Sequence, residues 1–127
     1  MPANGVLAVG VGAAFGAWLR WALGLWLNSI FPTVPLGTLS ANLLGGFIIG
    51  GVMSAADPLG FPPAVRLLVV TGFLGGLTTF STFSAETTTL LLQARYGWAL
   101  GAIVMHVAGS LCMTTLGVFL IRVHLGK

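Results

Sequence analysis

Gly72-Phe73-Leu74-Gly75-Gly76-Leu77-Thr78-Thr79-Phe80-Ser81-Thr82-Phe83-Ser84 forms the centre of an apolar stretch running from Ala64 to Gln93. Its flanks, Leu67-Leu68-Val69-Val70 and Leu90-Leu91-Leu92, suit a helix in hydrocarbon. The centre does not. Two adjacent glycines carry a large backbone-entropy cost in a helix, and the β-branched and hydroxyl residues after them compete for backbone hydrogen bonds. The stretch covers residues 64–93, longer than the roughly 20 residues a bilayer requires. These features predict a membrane helix broken near its middle, around residues 75–79.

Three further apolar stretches surround it, at about residues 4–28, 36–56 and 98–122. The first carries Gly12 and Gly16 and ends in Trp18, Trp21 and Trp26, an aromatic belt for one membrane interface. The second carries Gly46 and Gly50. Both glycine pairs have the four-residue spacing that lets helix backbones approach closely in lipid. The connections Asn28–Pro35 and Asp57–Pro63 are rich in proline and polar residues. The chain thus reads as one all-α membrane domain, residues 1–127, with four transmembrane helices.

Composition supports this and excludes other classes. The chain is 57% hydrophobic and 6% charged, whereas a soluble domain is about 25% charged. The basic residues Arg20, Arg66, Arg95, Arg122 and Lys127 stand singly, without the clusters that nucleic-acid phosphates require. Cys112 is the sole cysteine, so no internal disulfide exists, and no Cys/His cluster suggests a metal site. The N-terminus lacks a basic n-region, and the first apolar stretch is expected to remain as a span.

With four spans, Arg66, Arg122 and Lys127 fall on one side and Arg20 and Arg95 on the other. Orientation follows Lys/Arg bias, so a difference this small predicts insertion both ways and an antiparallel, dual-topology homodimer.

Polar side chains in a membrane are costly and mark function. Thr38 and Asn42 are four apart and share a face of the second helix. Thr82 and Glu86 do so on the third. His106, Ser110 and Thr114 form one stripe on the fourth. These three polar faces could converge, although Ser and Thr also bond their own i−4 carbonyls and Asn and His also join helices. The lining would be rich in donors: the Asn42 amide and the Thr82, Ser110 and Thr114 hydroxyls. Stripping an ion of water is expensive, with an idealised cost on the order of 20 kcal/mol, so several donors must replace the lost shell. Phenyl edges are electropositive. Phe80 and Phe83, three apart, could therefore flank an anion, or simply pack. Arg20 could concentrate anions at a mouth or snorkel to the interface. The break would free backbone carbonyls suited to Na⁺.

The run Gly75-Gly76-Leu77-Thr78-Thr79-Phe80-Ser81-Thr82-Phe83-Ser84-Ala85-Glu86 resembles the signature of the Fluc/CrcB fluoride channels. Gly16-Ala17-Trp18-Leu19-Arg20-Trp21 and Asn42-Leu43-Leu44-Gly45 are similar to that family as well. The resemblance implies an antiparallel homodimer in a bacterial inner membrane, with two fluoride pores and passive export of cytoplasmic fluoride. It implies a structural sodium ion on the two-fold axis, held by the Gly75 and Thr78 carbonyls of both subunits. It implies that Phe80 and Phe83 line the pores and that Asn42 donates to fluoride. Thr38, Ser81, Thr82, Glu86, Ser110 and Thr114 would follow the polar track, with Arg20 in a vestibule and His106 without a defined role.

Two other readings compete. A small proton-coupled multidrug exporter would need a central carboxylate; helix 1 has no acid, and Glu86 lies towards the end of helix 3. A non-transporting assembly subunit would not need aligned polar stripes. An enzyme is disfavoured because no nucleophile–base pair is evident, and no phosphate-binding GxxxxGK[ST] loop occurs.

Overall fold

A computed structural model describes residues 2–127. Among these residues every regular element is a helix, with four helices long and apolar enough to cross a membrane: Ala3–Leu27, Leu36–Ala55, Pro63–Leu92 and Tyr96–His124. The first, second and fourth are the continuous helices α1 (Ala3–Leu27), α2 (Leu36–Ala55) and α6 (Tyr96–His124). The third is composite. It opens as α3 (Pro63–Arg66), where Pro63 takes a first-turn position that needs no N–H donor. It loosens into a π-helical segment, Leu67–Leu74, and tightens again as α4 (Gly75–Leu77). After an interruption at Thr78 and Thr79 it resumes as α5 (Phe80–Leu92).

Glycine seams hold these helices together. α1 lies along the first half of the third span. A Cβ on Gly72 would stand 2.8 Å from the Val9 carbonyl oxygen and 3.0 Å from the Gly12 Cα, and one on Gly76 would stand 3.0 Å from the Ala13 Cα. α2 and α6 form the other pair, where a Cβ on Gly46 would stand 3.1 Å from the Ser110 carbonyl oxygen. Helix association in lipid depends on close van der Waals packing of this kind. The Gly75-Gly76 pair is therefore not the break. Both residues stay helical, and Gly76 serves the seam with α1. The interruption falls on the two threonines that follow, which adopt extended backbone with φ −84° and ψ 152° at Thr78 and φ −150° and ψ 116° at Thr79.

The outside is apolar. Phe15, Trp18, Trp21, Trp26, Leu100, Leu111 and Phe119 are exposed, and the buried centre around Ala41, Leu74 and Leu77 is small. A water-soluble protein would expose the reverse pattern. A tight turn joins α5 to α6 through Ala94, held in left-handed backbone at φ 56°. It is closed by hydrogen bonds from Ala94 N–H to the Leu91 carbonyl (3.0 Å) and from Arg95 N–H to the Leu90 carbonyl (2.9 Å).

Candidate functional site: a clamped helix break and two flanking cavities

Two consecutive extended residues remove helical hydrogen bonds in the middle of an apolar span. Backbone groups at that depth need protein partners or a water-filled cavity to pair with. Side chains from other helices satisfy several of them. Asn42 of α2 does most. Its Oδ1 accepts from Thr79 N–H at 2.7 Å and its Nδ2 donates to the Thr79 carbonyl at 3.0 Å, so one amide pairs with both backbone groups of a single residue. Arg20 of α1 donates from Nε to the Gly76 carbonyl at 3.0 Å, placing a cation near the carbonyl end of the first half-helix, where the helix dipole favours it. On the far side Thr79 caps α5, its Oγ1 accepting from Thr82 N–H at 3.1 Å.

Asn42 has a third contact, from Nδ2 to His106 Nδ1 on α6 at 3.1 Å. The His106 ring is buried and stacks on Phe83, with centroids 4.5 Å apart and planes 28° apart. Phe83 meets Phe80 edge to face, with centroids 5.4 Å apart. Asn42, Phe80, Phe83, His106, Ser110 and Thr114 all line one cavity of about 510 Å³, along with Gly75 and Thr78. Its outer rim includes Phe80, 76% exposed, and Leu111, 65% exposed, so a single chain does not enclose it.

Residues 7–118 match the family model described as CrcB-like protein, Camphor Resistance (CrcB). The chain belongs to the CrcB family. It is 58% identical over 123 residues to the fluoride-specific ion channel FluC of Pseudomonas paraeruginosa, covering 96% of this chain and 97% of that protein. It is 64% identical over 114 residues to the FluC of Tolumonas auensis, covering 88% of this chain and 89% of that one. Against the FluC of Nitrosospira multiformis it is 57% identical over 116 residues, 91% of each chain.

In this CrcB chain the remaining polar residues lie beyond the clamp. Arg20, Thr38, Thr79 and Thr82 line a second cavity of about 310 Å³ beside Trp21 and Asn28. Thr38 Oγ1 donates to Glu86 Oε2 at 2.8 Å, tying α2 to α5. The three polar stripes thus do not merge into one chamber. Asn42, Ser110 and Thr114 share the larger cavity, Thr38 and Thr82 the smaller, and Thr79 borders both. Ser81 is exposed and lies 3.2 Å from Thr79 Oγ1. Arg20 borders this smaller cavity while its Nε is held against the break by the Gly76 carbonyl.

The break leaves backbone oxygens over. Among the described residues no hydrogen bond reaches the carbonyls of Gly75 or Thr78, because Thr79 N–H goes to Asn42 and Thr82 N–H to the Thr79 hydroxyl. Nor do the described residues contain a cluster of three metal-ligating side chains. Unpaired backbone oxygens of this kind suit a hard cation such as Na⁺. His106 is the residue with the least defined role in the sequence reading. Its place on the stripe with Ser110 and Thr114 marked it as a candidate, but its contacts with Asn42 and Phe83 were not visible in the sequence.

Proposed function

We propose that this protein is a passive, fluoride-selective anion channel of the bacterial inner membrane, releasing cytoplasmic fluoride down its electrochemical gradient. The observation that carries the reading is identity of 52–64% over most of the chain to relatives named fluoride-specific ion channels. The site chemistry agrees with it. The larger cavity offers hydroxyls from Ser110 and Thr114 and the rings of Phe80 and Phe83, and electropositive ring edges and O–H donors suit a small, strongly hydrated anion. It contains no carboxylate that would repel one. Fluoride has a weak conjugate acid that crosses membranes as neutral HF and ionises inside, where a negative potential drives the anion out. No energy-coupled step is required.

The active form in this reading is an antiparallel homodimer with two pores. Three basic residues on one side against two on the other support insertion in both orientations, and the cavity's apolar open rim supports closure by a second copy. A structural Na⁺ on the two-fold axis would be held by the Gly75 and Thr78 carbonyls of both subunits. The Asn42–Thr79 and Arg20–Gly76 bonds would keep those oxygens available by satisfying their neighbours.

The test is efflux from liposomes containing purified protein, with chloride as control and Phe80→Ile and Asn42→Asp alongside. Fast fluoride release without chloride, lost in both variants, is expected. Absence of fluoride release from folded wild-type protein would overturn the channel and favour proton-coupled export. Tags on each terminus finding a single orientation would overturn the dual topology.

A further inference from the structure

α6 outruns the hydrocarbon at its far end. Ser110 is the midpoint of Tyr96–His124, and Arg122 stands twelve residues beyond it. At 1.5 Å per residue that is about 18 Å, past a hydrocarbon half-thickness of about 15 Å and level with lipid headgroups. The helix then ends in a closed cap. Gly126 takes left-handed backbone at φ 72°. Its N–H bonds the Val123 carbonyl at 3.2 Å, and Lys127 N–H returns to the Arg122 carbonyl at 2.8 Å. This pair of bonds folds the chain back over the last turn. Lys127 and Arg122 consequently line one cavity of about 440 Å³, between α6 and the end of α2.

The charges around that cavity do not balance. Arg122 and Lys127 are exposed, and among the described residues their side chains have no hydrogen-bond or ion-pair partner. The carboxylate at the rim, Asp57, is held by Arg66 at 2.7 Å, and Arg66 also donates to the Phe61 carbonyl at 3.2 Å. Ser54 adds a hydroxyl. One turn nearer the bilayer centre the wall becomes apolar, with Val118 and with Met53, which is 65% exposed. The opposite membrane end is built differently. Trp21, Trp26 and Trp98 are exposed there, and Arg95 already donates to Thr33 Oγ1 at 3.2 Å.

Two unpaired cations and a hydroxyl above an apolar wall match a phosphate carried on acyl chains. Basic pockets between membrane helices take anionic headgroups of this kind. A zwitterionic lipid would bring its ammonium beside Arg122 and Lys127, with the nearby carboxylate already engaged by Arg66.

We infer that the cavity of Ser54, Arg122 and Lys127 binds the phosphate headgroup of an anionic phospholipid, of the phosphatidylglycerol type. The site depends on where α6 sits in the membrane and is indifferent to which ion the protein passes. In an antiparallel pair, one such site would face each leaflet.

The test is native mass spectrometry of the full-length protein, released from detergent micelles after titration with phosphatidylglycerol. Phosphatidylethanolamine and inorganic phosphate are the comparisons. Wild type should retain phosphatidylglycerol at concentrations where neither comparison stays bound. A cation near an anionic headgroup contributes about 5-fold in affinity. Arg122→Gln should therefore need about 5-fold more lipid for equal occupancy, and Arg122→Gln combined with Lys127→Gln about 30-fold more. Arg122→Lys keeps the charge and should stay close to wild type, as should Arg95→Gln at the other membrane end. Added salt should weaken retention by wild type more than by the double variant. Circular dichroism checks that each variant is helical, and the single variants carry the comparison if the double variant does not fold. Folded Arg122→Gln and Lys127→Gln variants that hold phosphatidylglycerol as wild type does would overturn the site. Equal retention of phosphatidylethanolamine would overturn the headgroup and leave an apolar groove. Retention of inorganic phosphate at the same concentrations would reduce the site to an adventitious ion only.

Discussion

Replacing Asn42 with Ala removes the side chain that closes the break in the third span, and the structure sets the size of the effect. Two hydrogen bonds to the Thr79 backbone disappear, at 2.7 and 3.0 Å, with a third to His106 at 3.1 Å. The Thr79 N–H and carbonyl cannot pair with each other, and no other side chain bonds them. Leaving a buried polar group unpaired costs about 1–3 kcal/mol. Thr79 borders both cavities, where water can partly replace the amide, which places each loss in the lower half of that range. A destabilisation of about 2–4 kcal/mol follows, or about 30–1,000-fold in the population of the intact break. Thr115→Val is the control. Thr115 Oγ1 bonds only the Leu111 carbonyl of its own helix at 2.8 Å on an exposed face, and its loss should be nearly neutral. The assay is unfolding of both variants in mixed SDS micelles, followed by tryptophan fluorescence, with fluoride efflux measured in parallel. Asn42→Ala unfolding at the wild-type SDS fraction, or conducting at the wild-type rate, would refute the clamp.

Gly72→Ala should lower the thermal midpoint and reduce the yield of folded protein. Its new methyl would stand 2.8 Å from the Val9 carbonyl oxygen, where backbone cannot yield, and overpacking of that kind costs about 1–3 kcal/mol. Gly97→Ala, with nothing within 4 Å of the added Cβ, should tolerate the change in the same melting experiment. Arg20→Ala removes the donor on the Gly76 carbonyl and should destabilise by about 1.5–3 kcal/mol, read by SDS unfolding. Ala94→Gly should raise the melting temperature, because the residue sits at φ 56°, where glycine avoids a penalty of about 1 kcal/mol. Asp57→Asn should leave it within about 1 kcal/mol of wild type, since the Asp57–Arg66 pair is 84% and 43% exposed.

The four helices and the interrupted third one were legible in the sequence because both signals are local. Apolar length selects a span, and a glycine pair followed by two threonines cannot sustain one. The local signal was less sharp on where the chain opens. Gly76 looked like a helix breaker, yet it is a contact residue whose Cβ would stand 3.0 Å from Ala13 Cα, a fact visible only once α1 is in place. The partners of the polar groups were not legible. Asn42 lies 37 residues from Thr79, Arg20 lies 56 from Gly76, and Thr38 lies 48 from Glu86. Helical spacing assigns a residue to a face, whereas the helix that face meets depends on packing along the glycine seams. The π-helical loosening of Leu67–Leu74 has no counterpart in composition; it lies where this span runs against α1.

The break accounts for more of the polar inventory than a pore lining would. Two extended residues orphan several backbone groups, and hydrocarbon allows few of them to stay unpaired. That demand explains why an arginine sits well inside α1 with its guanidinium turned to a carbonyl. It explains why an asparagine rather than a hydroxyl stands at residue 42, since only an amide donates and accepts side by side at the spacing of a peptide's N–H and C=O. It explains why Thr79 is a capping residue. Once those needs are met, the groups left without a hydrogen bond around the larger cavity, among the described residues, include the Gly75 and Thr78 carbonyls and the Ser110 and Thr114 hydroxyls. Carbonyl oxygens are acceptors and suit cations, while hydroxyls can donate to anions. Both groups border the same cavity. A broken helix thereby sorts its leftover polarity by sign, and the residues to test for ion chemistry are those that remain after the clamp has taken its share.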